Sequence, residues 1–197
     1  MPSISEVMNI TTSMWAKDPR TPIMLWGKMG VGKTQSTKQM HLAQNLPTDR
    51  YISVNLSHHE VYDFTGVPVV EDTELGKMTT FCPTDIFAKF RKGTGAGTIV
   101  LEELAQSTNQ HMTWAAGFIE DRKTTLFELD PEVRIVATGN YAEDKAGARH
   151  LLSHLNDRFV HLDVETHLDD YCAWAMSNGV DPLLIAFLRL RPDLLND

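Results

Sequence analysis

Short apolar runs separated by stretches of helical periodicity recur along this chain. Thr21 to Trp26 follows a Lys17-Asp18-Pro19-Arg20 turn and ends in a glycine-rich stretch, as a buried strand does. Residues Lys33 to Asn45 have helical character and are closed by Pro47. Tyr51 to Leu56 alternates in polarity and is rich in β-formers, which predicts a second strand. Thr98 to Leu101, Val133 to Thr138 and Phe159 to Leu162 predict three more, the first of them entered from the loop Gly93 to Gly97. Helices are expected between these strands, at 83–92, 107–121 and 147–156. Strands alternating with helices predict an α/β fold, a parallel sheet covered on both faces. Residues 61–81 break the rhythm as an insert with turn signals at Gly66 and Gly76, and 122–132 reads as a small hairpin or loop.

After His167 the pattern turns helical. Leu168, Cys172, Ala175 and Met176 share one face, and Asn178-Gly179 supplies a stop. Asp181-Pro182 then opens another helix, with aspartate at the cap and proline in the first turn, and Pro192 ends it. The chain thus divides into an α/β unit over 1–166 and a helical piece over 167–197.

Composition narrows the classes. The 197 residues are 42% apolar and 22% charged, enough to build a core. Eighteen basic against 26 acidic residues leave a charge of −8, which disfavours a surface built to wrap duplex nucleic acid. No apolar run approaches the roughly 20 residues of a spanning helix, and no basic-then-apolar leader opens the sequence. Cys82 and Cys172 stand in no metal-ligand spacing and are expected as reduced thiols. These features lead to the expectation of a cytoplasmic protein without a membrane segment.

The motifs carry the chemistry. Gly27-Lys28-Met29-Gly30-Val31-Gly32-Lys33-Thr34 is a complete GxxxxGKT, placed between an apolar strand and a helix. Its glycines let successive backbone N–H groups turn toward phosphate oxygens, and the helix after it offers unpaired donors and the positive end of its dipole. Lys33 would bridge β- and γ-phosphates, the Thr34 hydroxyl would hold Mg²⁺, and Gln35 continues the phosphate-binding segment. Ile99-Val100-Leu101-Glu102-Glu103 is an apolar strand ending in two carboxylates. Glu102 is expected to orient the Mg²⁺ shell and Glu103 to polarise the attacking water. Glutamate at 102 adds a methylene where this element usually carries aspartate. Asn140, after the fourth strand, suits placing water against a γ-phosphate, and equally suits an ordinary turn. Arg158, in Leu155-Asn156-Asp157-Arg158-Phe159, could form a rim ion pair or reach into a neighbouring subunit's nucleotide.

In this order and spacing, over residues 20–165, these elements resemble AAA+ ATPases, and specifically the MoxR-like branch. Asp63-Phe64-Thr65-Gly66 with Gly76 and Phe81, Phe118-Ile119-Glu120-Asp121, Ala137-Thr138-Gly139-Asn140 and the segment around Arg158 carry the finer likeness. The resemblance implies a five-stranded parallel sheet of order 5-1-4-3-2 and ATP with Mg²⁺ bound between subunits of a homo-oligomeric ring, usually a hexamer. It implies that Glu103 is the catalytic glutamate, Asn140 the sensor and Arg158 a finger acting in trans. It makes 167–197 the start of a helical lid and points the 61–81 insert and the 122–132 hairpin at the pore or a substrate. Such proteins hydrolyse ATP as remodelling or chaperone-like motors, often with a partner carrying a von Willebrand factor A domain. Ala105-Gln106 departs from the branch's usual asparagine-arginine, and Arg189 and Arg191 sit in no recognised sensor 2 motif.

Competing functions are a nucleotide-gated binding module with little hydrolysis and, against the net charge, a nucleic-acid motor or helicase loader. His58-His59-Glu60 is set aside as a metal cluster because adjacent strand residues point apart. His150 and His154 are spaced i, i+4, with no third ligand evident. Trp15, Trp26, Trp114, Phe118 and Trp174 are expected in the core.

Overall fold

The computed structural model describes residues 2–82, 86–141 and 151–195. Its centre is a five-stranded sheet of β1 (Ile23–Trp26), β2 (Tyr51–Asn55), β5 (Gly97–Glu102), β6 (Val133–Gly139) and β7 (Val160–Asp163). Every pairing within it is parallel. The remaining strands, β3 (Val67–Thr73) and β4 (Gly76–Cys82), form a separate antiparallel hairpin. The sheet order is β2-β5-β6-β1-β7. These numbers differ from the expected 5-1-4-3-2 because the hairpin takes two of them. Numbered among themselves, the five central strands run 2-3-4-1-5 from one edge.

Strand residues alternate between two apolar layers, as a period of two requires. Met24, Ile99, Leu101, Ile135 and Ala137 face α4 (Asn109–Asp121), joining Met112, Ala115 and Phe118. Ile23, Leu25, Val100 and Val136 face the other way, toward Val7 and Trp15 of α1 (Ile4–Lys17) and Met40 of α2 (Lys33–Ala43). Each fully buried side chain of this size stabilises the fold by about 1.5–3 kcal/mol. Of the expected core aromatics, Trp15 and Phe118 are fully enclosed, and Trp26, Trp114 and Trp174 pack half-buried.

The sequence pattern names no helix before residue 21, yet α1 is well specified. Ser3 accepts from the Glu6 amide while the Glu6 carboxylate accepts from the Ser3 amide, a reciprocal capping box. The helix expected at 83–92 is instead a 3-10 turn at Ala88–Phe90 within the described part. Phe87 and Phe90 both enter the core, and the three-residue period of this turn places them on one side. Of the helix expected at 147–156, only the turn α5 (Ser153–Asn156) forms among the described residues; 147–150 lie outside them.

The 61–81 insert resolves into a short helix, α3 (Tyr62–Thr65), and the solvent-exposed hairpin. Residues 122–132 form a small turn closed by a Lys123–Glu128 bridge. The helices α6 (Leu168–Ser177) and α7 (Pro182–Leu190) pack together through Cys172, Ala175 and Ile185. No helix among the described residues is long and apolar enough to cross a membrane.

Candidate active site

The carboxyl ends of β1, β5 and β6 open onto one cleft of about 390 Å³, a volume within the range of small-molecule pockets. Lys33 and Thr34 reach it from the start of α2, Glu102 and Glu103 from the end of β5, and Asn140 from the end of β6. The loop between β1 and α2 needs glycine for two distinct reasons. A Cβ on Gly27 would lie 2.7 Å from the Val164 carbonyl oxygen, because β1 runs tightly past the end of β7. Gly32, at φ 90°, turns the chain into α2 through the left-handed region. No side chain caps the α2 N-terminus, so this helix end presents its backbone donors at the cleft.

The Lys33 ammonium donates to the Gly27 and Lys28 carbonyls at 2.7 and 2.8 Å and to the Asn140 amide oxygen at 2.7 Å. Asn140 is buried, and its carbonyl accepts from Gln106. The lysine and the proposed sensor, 107 residues apart, are thus in direct contact. Met29, Gly30, Gly32 and Gln35 also line the cleft, whereas Gly27, Lys28 and Val31 do not. Val31 is buried beneath the loop, and Lys28 contributes its carbonyl.

Glu103 adopts φ 58°, a left-handed conformation that costs a non-glycine residue about 1–3 kcal/mol. Its amide donates to the Thr138 hydroxyl at 3.2 Å, and its carboxylate accepts from Ser57 at 3.1 Å. The bend it makes starts the 3-10 turn Leu104–Gln106, which buries Ala105 against Gly139 and swings Gln106 into the cleft. The Ala105-Gln106 departure therefore has a structural use. Glu102 accepts a hydrogen bond from Ser53 on β2. Sequence reasoning gave no site role of their own to Ser53 in the middle of β2, Ser57 in the 3-10 turn after it, Gln106 in the turn after Glu103, or Thr138 near the end of β6.

Arg158 does not line this cleft. Its guanidinium pairs with Glu120 at the end of α4 and donates to the His154 carbonyl, while its Nε is buried without a hydrogen-bond partner among the described residues. Beside the cleft, Trp26 stacks between Tyr141 and His161 and donates its indole N–H to His161 Nδ1 at 2.7 Å. His59 is engaged by Asp63 at 3.1 Å, and its carbonyl accepts from His111. His150 lies outside the described residues.

The donor set fits a nucleotide phosphate: an uncapped helix N-terminus, a curled glycine loop and an ammonium converge on it. Among the described residues no cluster of three or more His, Cys, Asp or Glu could hold a metal unaided. A Mg²⁺ ion here would take Thr34 and Glu102 together with phosphate oxygens and water, the usual habit of a cation that keeps several waters.

No family model and no curated protein matches the sequence. Among solved structures, the chain is similar to a Cytophaga hutchinsonii protein titled a "putative ATPase", at a TM-score of 0.54 and 14% identity. The match covers 86% of this chain and 48% of that one, so this chain spans about half of its neighbour's length. At this identity the likeness establishes the shared fold alone, an α/β arrangement with a five-stranded parallel sheet flanked by helices.

Proposed function

We propose that this protein binds ATP with Mg²⁺ and hydrolyses it, as an AAA+ protein of MoxR type acting in a homo-oligomeric ring. The observation that carries the reading is the convergence of Lys33, Glu102, Glu103 and Asn140 on one cleft at the uncapped end of α2. When bound, Mg²⁺ would neutralise charge on the β- and γ-phosphates. Lys33, already poised on two loop carbonyls and Asn140, exchanges those partners for phosphate oxygens. Glu103 takes the proton of the attacking water, and Asn140 orients that water through its amide.

Arg158 acts on a neighbour's nucleotide, a reading that rests on the resemblance of the Leu155-Asn156-Asp157-Arg158-Phe159 segment; within its own chain it pairs with Glu120. Ring size, a cytoplasmic location and a protein partner carrying a von Willebrand factor A domain belong to the same proposal, on the resemblance of the motifs. A second reading, a nucleotide-gated assembly module with weak hydrolysis, draws on the Ser57 hydrogen bond that engages the Glu103 carboxylate.

Steady-state ATP hydrolysis measured against protein concentration separates the two readings. Specific activity that climbs with concentration and vanishes in Glu103→Gln is the result expected of a ring ATPase. Tight nucleotide binding without turnover at any concentration favours the gated module. Activity that is flat with concentration argues against Arg158 acting in trans.

A further inference from the structure

Glutamate at 102 poses a geometric question: where does its extra methylene go? On β2, Tyr51, Ser53 and Asn55 project from one face of the strand, and on β5, Thr98, Val100 and Glu102 do the same. The parallel register pairs Ser53 with Val100 and Asn55 with Glu102. Ser53 is therefore a diagonal neighbour of Glu102, at a separation of about 7–8 Å between backbones that long side chains can span. The glutamate spans it, and Glu102 Oε1 accepts the Ser53 hydroxyl. An aspartate in the same place would stop about 1.5 Å short, one carbon–carbon bond.

The neighbouring hydroxyl protons are committed elsewhere. Thr37 donates to the Thr34 carbonyl at 2.7 Å, so the 2.8 Å contact between Thr37 and Tyr51 is made with the tyrosine proton. Burial pushes the Tyr51 phenol above its ordinary pKa and keeps it a neutral hydroxyl. The Ser53 side chain also meets the Tyr51 phenol, and its hydroxyl donates to Glu102 Oε1. Oε2 has no hydrogen-bond partner among the described residues, and Glu102 lines the cleft.

We infer that Ser53 is a positioning residue, which anchors Oε1 of Glu102 so that Oε2 is presented to the metal-bound water of a nucleotide complex. The inference rests on the ATP-binding reading and adds to it a residue on a strand that carries no nucleotide motif. Serine at 53 and glutamate at 102 then form one unit. The longer carboxylate is matched to a hydroxyl one strand away, and each is of little use to the metal site without the other.

The test measures Mn²⁺ affinity by electron paramagnetic resonance in the presence of a saturating non-hydrolysable ATP analogue, with nucleotide affinity in EDTA measured alongside. Removing an outer-shell partner of a metal site weakens metal binding by about 10–100-fold. Ser53→Ala is expected to weaken Mn²⁺ by about tenfold while metal-free nucleotide affinity stays as in the unmodified protein. Ser53→Thr, which keeps the hydroxyl and suits a strand, is expected to restore it. In a Glu102→Asp background, where the carboxylate no longer reaches, Ser53→Ala should add less than about a twofold change, the signature of a coupled pair.

Unchanged Mn²⁺ affinity in Ser53→Ala overturns the inference, as does an equal penalty in both backgrounds. Parallel loss of metal-free nucleotide affinity also overturns it, since that marks a general role in the fold. If the unmodified protein binds no nucleotide at all, the ATP-binding reading itself fails, and the EDTA titration registers this separately.

Discussion

His41 gives this fold a defined response to acid. The ring is fully buried on α2, and its Nε2 donates to the Pro47 carbonyl at 2.9 Å. Nδ1 must then be the acceptor, receiving the Thr98 hydroxyl at 3.0 Å. Burial pushes the His41 pKa below its ordinary 6.5; Arg134 and Lys89 press the same way, against the Pro47 carbonyl and Asp49. Above pH 6.5 the ring is neutral in both folded and unfolded chains and contributes nothing to the pH dependence. As the pH falls through 6.5 toward the lower folded-state value, the unfolded chain takes up a proton that the folded one refuses. Stability therefore falls on acidification. One proton limits the slope to about 1.4 kcal/mol per pH unit, and the loss levels off below the folded-state pKa.

Urea unfolding of the unmodified protein and His41→Gln between pH 7.5 and 5.0 reads this directly. At the upper end the variant should be less stable by about 1–3 kcal/mol, because buried partners of the ring are left imperfectly paired. On acidification the gap should narrow, since only the unmodified protein bears the histidine penalty. The chain's seven other histidines cancel in the difference. A gap that stays constant, or widens, from pH 7.5 to 5.0 refutes the reasoning.

Other perturbations probe separate parts of the argument. Ser3→Ala removes the capping hydroxyl of α1 and should cost about 1 kcal/mol, a fall of about 2–4 °C in thermal melting. Gly139→Ala would put a Cβ 2.6 Å from the Met24 methyl and 2.9 Å from the Ala105 Cβ. It should destabilise by about 1–3 kcal/mol and weaken nucleotide binding through the adjacent Asn140; an unchanged melting midpoint would count against the packing described. Arg134 buries Nε and Nη1 without hydrogen-bond partners among the described residues and lies over the Trp15 ring. Arg134→Met should therefore leave stability equal or raise it by up to about 2 kcal/mol in denaturant titrations, and a loss above about 1 kcal/mol would show that the charge is better satisfied than the geometry indicates. Arg158→Ala breaks a partly exposed pair with Glu120 and should change stability by no more than about 1 kcal/mol. Turnover in the assembled protein should fall by about 10³-fold or more, and intact turnover would end its role as a finger.

The parts of the fold legible in the sequence are those in which local pattern and tertiary demand agree. The three inner strands β1, β5 and β6 are buried on both faces because helices cover both, so each stands out as a run between turn signals, while the edge strands β2 and β7 show as short alternating segments. The glycine loop is legible because its chemistry is contiguous. Residues 83–92 mislead because Phe87 and Phe90 carry a helical spacing that the core satisfies with a single 3-10 turn. The first helix hides its apolar stripe among polar and β-branched residues, with Val7, Thr11 and Trp15 alone buried. Its capping box, Ser3 with Glu6, was the signal available.

The rest of the site is illegible for a topological reason. In an open parallel sheet, ligands gather beyond the carboxyl ends of the strands, and sheet order decides which ends are neighbours. Here β6 lies between β1 and β5, so Asn140 stands between the phosphate loop and the paired glutamates, and Lys33 can reach it. On the far side of β5 lies β2, and it brings Ser53 and Ser57 to the two carboxylates, 49 and 46 residues away in the chain. A serine in mid-strand and another in the turn after it carry no signal in a linear reading. They acquire one only once the register aligns Ser53 with Val100 and so places it diagonally to a glutamate whose arm is long enough to meet it. The choice of glutamate at 102 is thus a statement about β2 as much as about β5. An aspartate there should make the hydroxyl at 53 dispensable.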